Sequence, residues 1–163
     1  MIYSVLIVSF LLEASLSTIV SINSLFAPLF LLTSLTILFP YFKNKKENFF
    51  IVCLICGLFY DIAFYNSIFV NTISFAMFSG FVILCYNYIN YNIFNSNFLN
   101  IFALIFYRII SYLILCIVDF VSFNQNILIK GIYSSILANL IYGVLIYIII
   151  NKISKIFKIE KSE

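Results

Sequence analysis

The chain has 163 residues, of which 64% are hydrophobic and only 9% are charged, with a net charge of +3. Its mean hydropathy is +1.15. Because a soluble domain carries about 25% charged residues, this chain has too few to cover a surface in water. The composition excludes a water-soluble enzyme, a nucleic-acid-binding domain and a disordered tail.

Six long apolar runs follow one another along the chain. A helix that crosses a bilayer needs about 20 apolar residues, whereas a transmembrane β-barrel would show alternating polarity. We therefore predict an all-α integral membrane protein, a bundle of six transmembrane helices. The expected helices cover residues 2–22, 26–42, 49–65, 68–88, 98–121 and 127–150. They form one transmembrane domain over residues 1–151, followed by a basic tail over residues 152–163.

The breaks between these runs predict the orientation of the chain. Pro28 suits the first turn of the second helix, where no backbone N–H is needed. Seven of the eight lysines form two clusters, one after the second run and one after the sixth: Lys43, Lys45, Lys46 and Lys152, Lys155, Lys158, Lys161. Cytoplasmic loops carry the Lys/Arg excess, so both termini are predicted to be cytoplasmic. The tail is either a short amphipathic helix on an anionic leaflet or simply a charged helix end.

Four ionisable residues lie inside the apolar runs: Glu13, Asp61, Arg108 and Asp119. Such residues are costly in lipid and are candidates for a functional role. Glu13 and Arg108 have opposite charges and similar expected depths, about 15 Å into the first and fifth helices. We expect them to form an ion pair that holds the bundle together, with a substrate or proton site as the alternative. Asp61 and Asp119 lie nearer the outer ends of their helices, where they could face a pocket or cap loops.

Small and polar residues recur at four-residue spacing, which places them on one face of a helix. Helix three carries Cys53, Gly57 and Asp61, helix four carries Thr72, Ala76 and Gly80, and helix six carries Gly131, Ser135, Asn139 and Gly143. Each stripe predicts a close helix–helix contact. A ligand-lined cavity is the alternative interpretation.

Nothing in the sequence indicates catalysis. The chain has no His, and its four Cys all lie inside apolar runs. This excludes a Ser/His/Asp or Cys/His set, and no Gly-rich phosphate loop is present. We expect no enzyme activity, no metal and no cofactor.

A few residues together resemble a known family. Pro28 opens the second helix, Gly57 and Asp61 form a G-x-x-x-D motif at the end of the third, a short turn over residues 66–69 leads to the fourth, and Asn139 lies in the sixth. This order in a chain of this length resembles the rod shape-determining membrane protein family MreD. The chain departs from the family pattern at two positions, with Ala27 where the family often has Arg and Phe69 where it usually has Gly.

The resemblance implies a non-catalytic subunit of the bacterial cell-wall elongation machinery in the inner membrane. Such proteins are similar in fold to the substrate-binding subunits of energy-coupling-factor vitamin transporters. Their partners are the single-span protein MreC, the actin-like MreB, peptidoglycan synthases and membrane lipid, without nucleic acid. The alternative is a vitamin-binding transport subunit, which would need a pocket with convergent polar groups at the outer end of the bundle.

Overall fold

A computed structural model describes residues 2–19, 27–64 and 69–156. These residues form six α-helices: α1 Ile2–Ile19, α2 Phe30–Leu38, α3 Lys46–Phe64, α4 Val70–Tyr86, α5 Ile93–Ile117 and α6 Gln125–Ile156. A 3-10 helix, Phe39–Lys45, joins α2 to α3. No strand occurs in these three ranges, so the predicted all-α class is confirmed there. The expected break between the first and second helices, residues 66–68 of the turn into the fourth helix and the tail beyond Ile156 lie outside the described residues.

Two of the helices are long and apolar enough to cross a membrane. They are α5, with 25 residues, and α6, with 32. Shorter apolar helical stretches cover Ile2–Ser17, Phe30–Phe42 and Val70–Tyr86. At about 1.5 Å per residue, a stretch of 17 residues is about 26 Å long, slightly less than the hydrocarbon core.

Helix α2 lies at the centre of the bundle. All nine of its residues are buried, and it packs against α1, α5 and α6. A helix that is buried on every side must be surrounded by other helices. The remaining helices pack in chain order, α3 on α4, α4 on α5 and α5 on α6.

The C-terminal end of α2 differs from the expected single helix over residues 26–42. The α-helix ends at Leu38, and a 3-10 helix continues through Pro40. Proline has no N–H to donate to the carbonyl four residues earlier, which here belongs to Thr36. The phenol of Tyr86 donates to that carbonyl instead, at 3.0 Å. The lysine-rich segment that we expected as a break between the second and third helices is therefore helical and leads directly into α3.

The last two helices also differ from the expected bounds. Helix α5 begins at Ile93, earlier than the expected Phe98, because the Asn92 side chain accepts a hydrogen bond from the Ile93 N–H at 2.6 Å and caps the helix. Helix α6 continues to Ile156, so Lys152 and Lys155 belong to its last turns rather than to a separate tail.

Several polar side chains are buried, and many large apolar side chains are exposed. Glu13, Arg108 and Asn139 are at most 6% exposed. By contrast, Leu137 on α6 and Ile62 on α3 are more than 70% exposed. Buried polar groups together with many exposed apolar side chains suit a lipid environment, in which helices associate through polar and small residues.

Candidate functional site: polar contacts around α2 and α4

The first turn of α2 is capped by side chains from distant helices. The first N–H groups of a helix have no partner within it. The Leu29 N–H donates to Oδ1 of Asn139 on α6 at 3.0 Å, and the Leu31 N–H donates to Oε2 of Glu13 on α1 at 3.1 Å. A carboxylate at this position also interacts favourably with the helix dipole. We expected Pro28 in the first turn of this helix. It precedes the N-cap residue Leu29 and therefore lies just outside that turn.

Glu13 and Arg108 both contact the segment that begins α2. Oε1 of Glu13 accepts a hydrogen bond from the Tyr60 phenol on α3. Arg108 donates from Nη2 to the carbonyl of Ala27. Arg108 also interacts electrostatically with Glu13. The segment 27–31 is thus bound by two residues of opposite charge, and the direct ion pair between them stays a prediction.

The small-residue stripe on α6 faces the interior of the bundle. Gly131, Ser135, Asn139 and Gly143 are all buried. A Cβ atom added to Gly143 would lie 2.5 Å from Oδ1 of Asn97 and 3.4 Å from Nδ2 of Asn100. The missing side chain lets α6 approach these two amides of α5. The same Cβ atom would lie 3.4 Å from Cγ2 of Thr33, so α2 also takes part in this contact.

The G-x-x-x-D motif of α3 holds the first turn of α4. A Cβ atom added to Gly57 would lie 2.7 Å from the Cα atom of Thr72, so only glycine permits this approach. One turn further along, Asp61 accepts four hydrogen bonds. Oδ1 accepts from the N–H of Asn71 at 2.8 Å and from its side-chain amide at 3.1 Å. Oδ2 accepts from the N–H of Thr72 at 2.9 Å and from its hydroxyl at 2.7 Å.

Asp61 therefore caps a helix that belongs to the same chain. This is one of the two roles that the sequence allowed for it, and both carboxylate oxygens are occupied. Gly57 likewise packs against the chain's own α4, so its face is not open to a partner helix.

Phe69 occupies the N-cap position of α4 with φ 72° and ψ 1°. This left-handed conformation costs a residue with a Cβ atom about 1–2 kcal/mol, whereas glycine adopts it freely. The backbone at Phe69 thus has a conformation that glycine would adopt without this cost.

Asp119 terminates α5. It adopts φ 58°, its N–H donates to Cys116, and the N–H of Phe120 donates to Leu115. This hydrogen-bond pattern is the Schellman motif, in which the left-handed residue is usually glycine and sometimes asparagine. Asp119 is exposed, and its described role is to end the helix.

Three residues that take part in the polar contacts around α2 and α4 were not singled out from the sequence: Tyr60, Asn71 and Tyr107. The Tyr107 phenol donates to Oδ1 of Asn71 at 2.8 Å, which orients the amide that binds Asp61. The ring of Phe75 lies between the two phenols, 5.2 Å from that of Tyr60 and 5.4 Å from that of Tyr107. Tyrosine is frequent throughout this chain, so frequency alone did not distinguish these two.

Within the described ranges, no three His, Cys, Asp or Glu side chains come together as metal ligands. Comparisons with protein-family models, curated proteins and solved structures give no match to this chain.

Proposed function

We propose that the chain is a non-catalytic scaffold subunit of the bacterial cell-wall elongation complex. In this proposal all six helices lie in the inner membrane, both termini are cytoplasmic, and the bundle is similar to the membrane subunits of energy-coupling-factor transporters. The chain regulates cell shape by binding MreC and coupling it to MreB and the peptidoglycan synthases. The resemblance of Pro28, Gly57, Asp61 and Asn139 to the MreD pattern supports this assignment.

One structural observation favours a scaffold over a vitamin-binding subunit. A transport subunit needs polar groups that converge on a ligand at the outer end of the bundle. The two carboxylates available for that role are Asp61 and Asp119. Asp61 uses both oxygens on the start of α4, and Asp119 is an exposed helix-terminating residue. These groups serve the fold.

The exposed face of α4 is the best candidate for the partner's single helix. The small-residue faces of α3 and α6 are filled by the chain's own helices at Gly57 and Gly143. A Cβ atom added to Gly80 would have no atom within 4 Å. Its neighbours Met77 and Leu84 are 46% and 63% exposed. A small residue flanked by exposed apolar ones suits the close packing of another membrane helix.

The test is a pull-down of the tagged chain from its native membrane in a mild detergent, with co-purifying proteins identified by mass spectrometry. We expect a single-span protein with a large extracytoplasmic domain, together with wall-synthesis proteins. Gly80→Leu should reduce recovery of the single-span protein. Leu137→Phe, which adds bulk to an exposed face of α6, is the control and should not.

Recovery of an ATPase pair with a second multi-span subunit would overturn the scaffold and favour the vitamin-transport alternative. Equal loss of the single-span protein from both variants would assign the effect to general damage to the bundle and reject the α4 face.

A further inference from the structure

Three exposed lysines lie at one end of the bundle. Lys46 is the first residue of α3, and Lys152 and Lys155 lie near the end of α6. Between the latter two, Ser154 is buried and lies beside the phenol of Tyr41 in the 3-10 helix. Because that 3-10 helix leads into Lys46, all three lysines share this end, which we call the basic end.

Tyrosines surround the same end. The phenols of Tyr86 and Tyr91 donate to the carbonyls of Thr36 and Ile37 at the C-terminal end of α2, and the rings of Tyr91 and Tyr147 have centroids 5.2 Å apart. Tyr88, in the turn between α4 and α5, is 89% exposed. Tyrosine is enriched at the level of lipid headgroups, because its ring is apolar and its hydroxyl is polar.

The opposite end has a different charge. Among the described side chains there, Lys130, Asp61 and Asp119 sum to −1, whereas three lysines and Glu47 leave the basic end with a charge of +2. Lys130 and Lys152 lie roughly 22 positions apart on α6, which is about 33 Å along a helix. That separation matches a hydrocarbon core of about 30 Å, so the two lysines fit opposite interfaces.

We propose that the basic end binds the headgroups of acidic phospholipids in one leaflet. One turn before Lys152, the side chains of Ile148 and Ile149 are 43% and 46% exposed. A lipid whose tails lie along these residues places its phosphate at the level of the lysines. The proposal rests on the membrane embedding proposed above.

The experiment uses single-tryptophan variants, because the chain contains no tryptophan. Tyr88→Trp reports from the basic end, and Tyr133→Trp reports from α6 near Lys130, where the tyrosine is 74% exposed. Each variant is reconstituted into phosphatidylcholine vesicles that contain either brominated phosphatidylglycerol or brominated phosphatidylcholine. Quenching of tryptophan fluorescence then measures the relative affinity for the two lipids.

We expect the Tyr88→Trp variant to prefer phosphatidylglycerol by at least about fivefold, the factor that one lysine near a charged surface contributes. Changing Lys46, Lys152 and Lys155 together to Gln should abolish the preference, whereas Lys130→Gln should leave it unchanged. The Tyr133→Trp variant should show no preference.

Equal quenching by the two lipids at Tyr88→Trp, or a preference that survives the triple change, would overturn the proposal. A preference at Tyr133→Trp that Lys130→Gln abolishes would overturn it as well, by assigning acidic lipid to the other end. Absence of quenching by either lipid in both variants would instead reject the membrane embedding on which the proposal rests.

Discussion

Two glycines of this chain make similar close helix contacts in different polar surroundings. At Gly57, α3 meets the first turn of α4. One turn further along, both carboxylate oxygens of Asp61 accept hydrogen bonds. At Gly143, α6 meets α5 beside Asn100, which is fully buried while neither atom of its amide has a hydrogen-bond partner in the described part of the chain. Small residues are thus sufficient for close approach, but they do not by themselves determine whether polar neighbours contribute to stability.

The nature of the nearest atom also separates the two contacts. A Cβ atom at Gly57 would meet a backbone atom of Thr72, whereas one at Gly143 would meet the end of the Asn97 side chain. Backbone in a packed helix cannot move without shifting the helix, but a carboxamide can rotate. We therefore regard the α3–α4 contact as the rigid one, and the following changes test that difference.

The largest effect is expected from Asp61→Asn. An amide in place of the carboxylate removes the charge and turns one acceptor into a donor that faces the N–H groups of α4. Losing these charge-assisted bonds should lower the free energy of unfolding by about 3 kcal/mol. Unfolding by sodium dodecyl sulfate in mixed micelles measures it. Asp119→Asn, at an exposed position, is the control and should change the value by less than about 0.5 kcal/mol. Equal effects at the two aspartates would contradict the capping role of Asp61.

Gly57→Ala should lower the free energy of unfolding by about 1–3 kcal/mol, because overpacking against backbone forces the helices apart. The same substitution at Gly143 should cost less, since Asn97 can move. Gly80→Ala, where the added methyl group meets open space, should raise stability by about 0.5–1 kcal/mol. Comparison of the three alanine variants by thermal unfolding in detergent tests the order, and an equal loss at Gly57 and Gly143 would remove the distinction between the contacts.

Phe69→Gly should raise the free energy of unfolding by about 1 kcal/mol, because glycine relieves the left-handed backbone at the start of α4. Phe69→Ala is the matched control. It also removes the exposed ring but keeps the Cβ atom, so it should give no such gain. If both variants gained equally, the effect would come from loss of the ring and not from the backbone.

The smallest effect is expected from Asn100→Leu. Replacing a buried amide without hydrogen-bond partners by an apolar group of similar size should be neutral or stabilising by less than about 1 kcal/mol. Asn139→Leu provides the contrast, because it leaves the Leu29 N–H without its acceptor and should cost about 1–3 kcal/mol. The same unfolding titration compares the two. A large loss at Asn100 would show that its amide does form hydrogen bonds.

Apolar runs and helical spacing predicted a large part of this architecture. The runs indicated an all-helical chain, and four-residue spacing placed Gly57 and Asp61 on one face. The partners of that face could not be predicted, because Asn71 and Thr72 look like any polar residues at a helix start. The 3-10 helix after α2 was missed because its cause is tertiary. Pro40 deprives the Thr36 carbonyl of a donor, but only the fold brings the Tyr86 phenol to replace it. Likewise, Asn92 caps α5 from within an Asn-rich segment whose members the sequence does not distinguish.

The central position of α2 has a consequence for how the chain is made. Its first turn is completed by Asn139, which is 110 residues away from Leu29 in sequence, and the Ala27 carbonyl is bound by Arg108, 81 residues away. A ribosome delivers these partners long after α2 has left the exit tunnel. Until α5 and α6 have been made, the Ala27 carbonyl and the Leu29 N–H therefore lack these partners. Final closure of the bundle belongs to the end of synthesis, when α6 arrives.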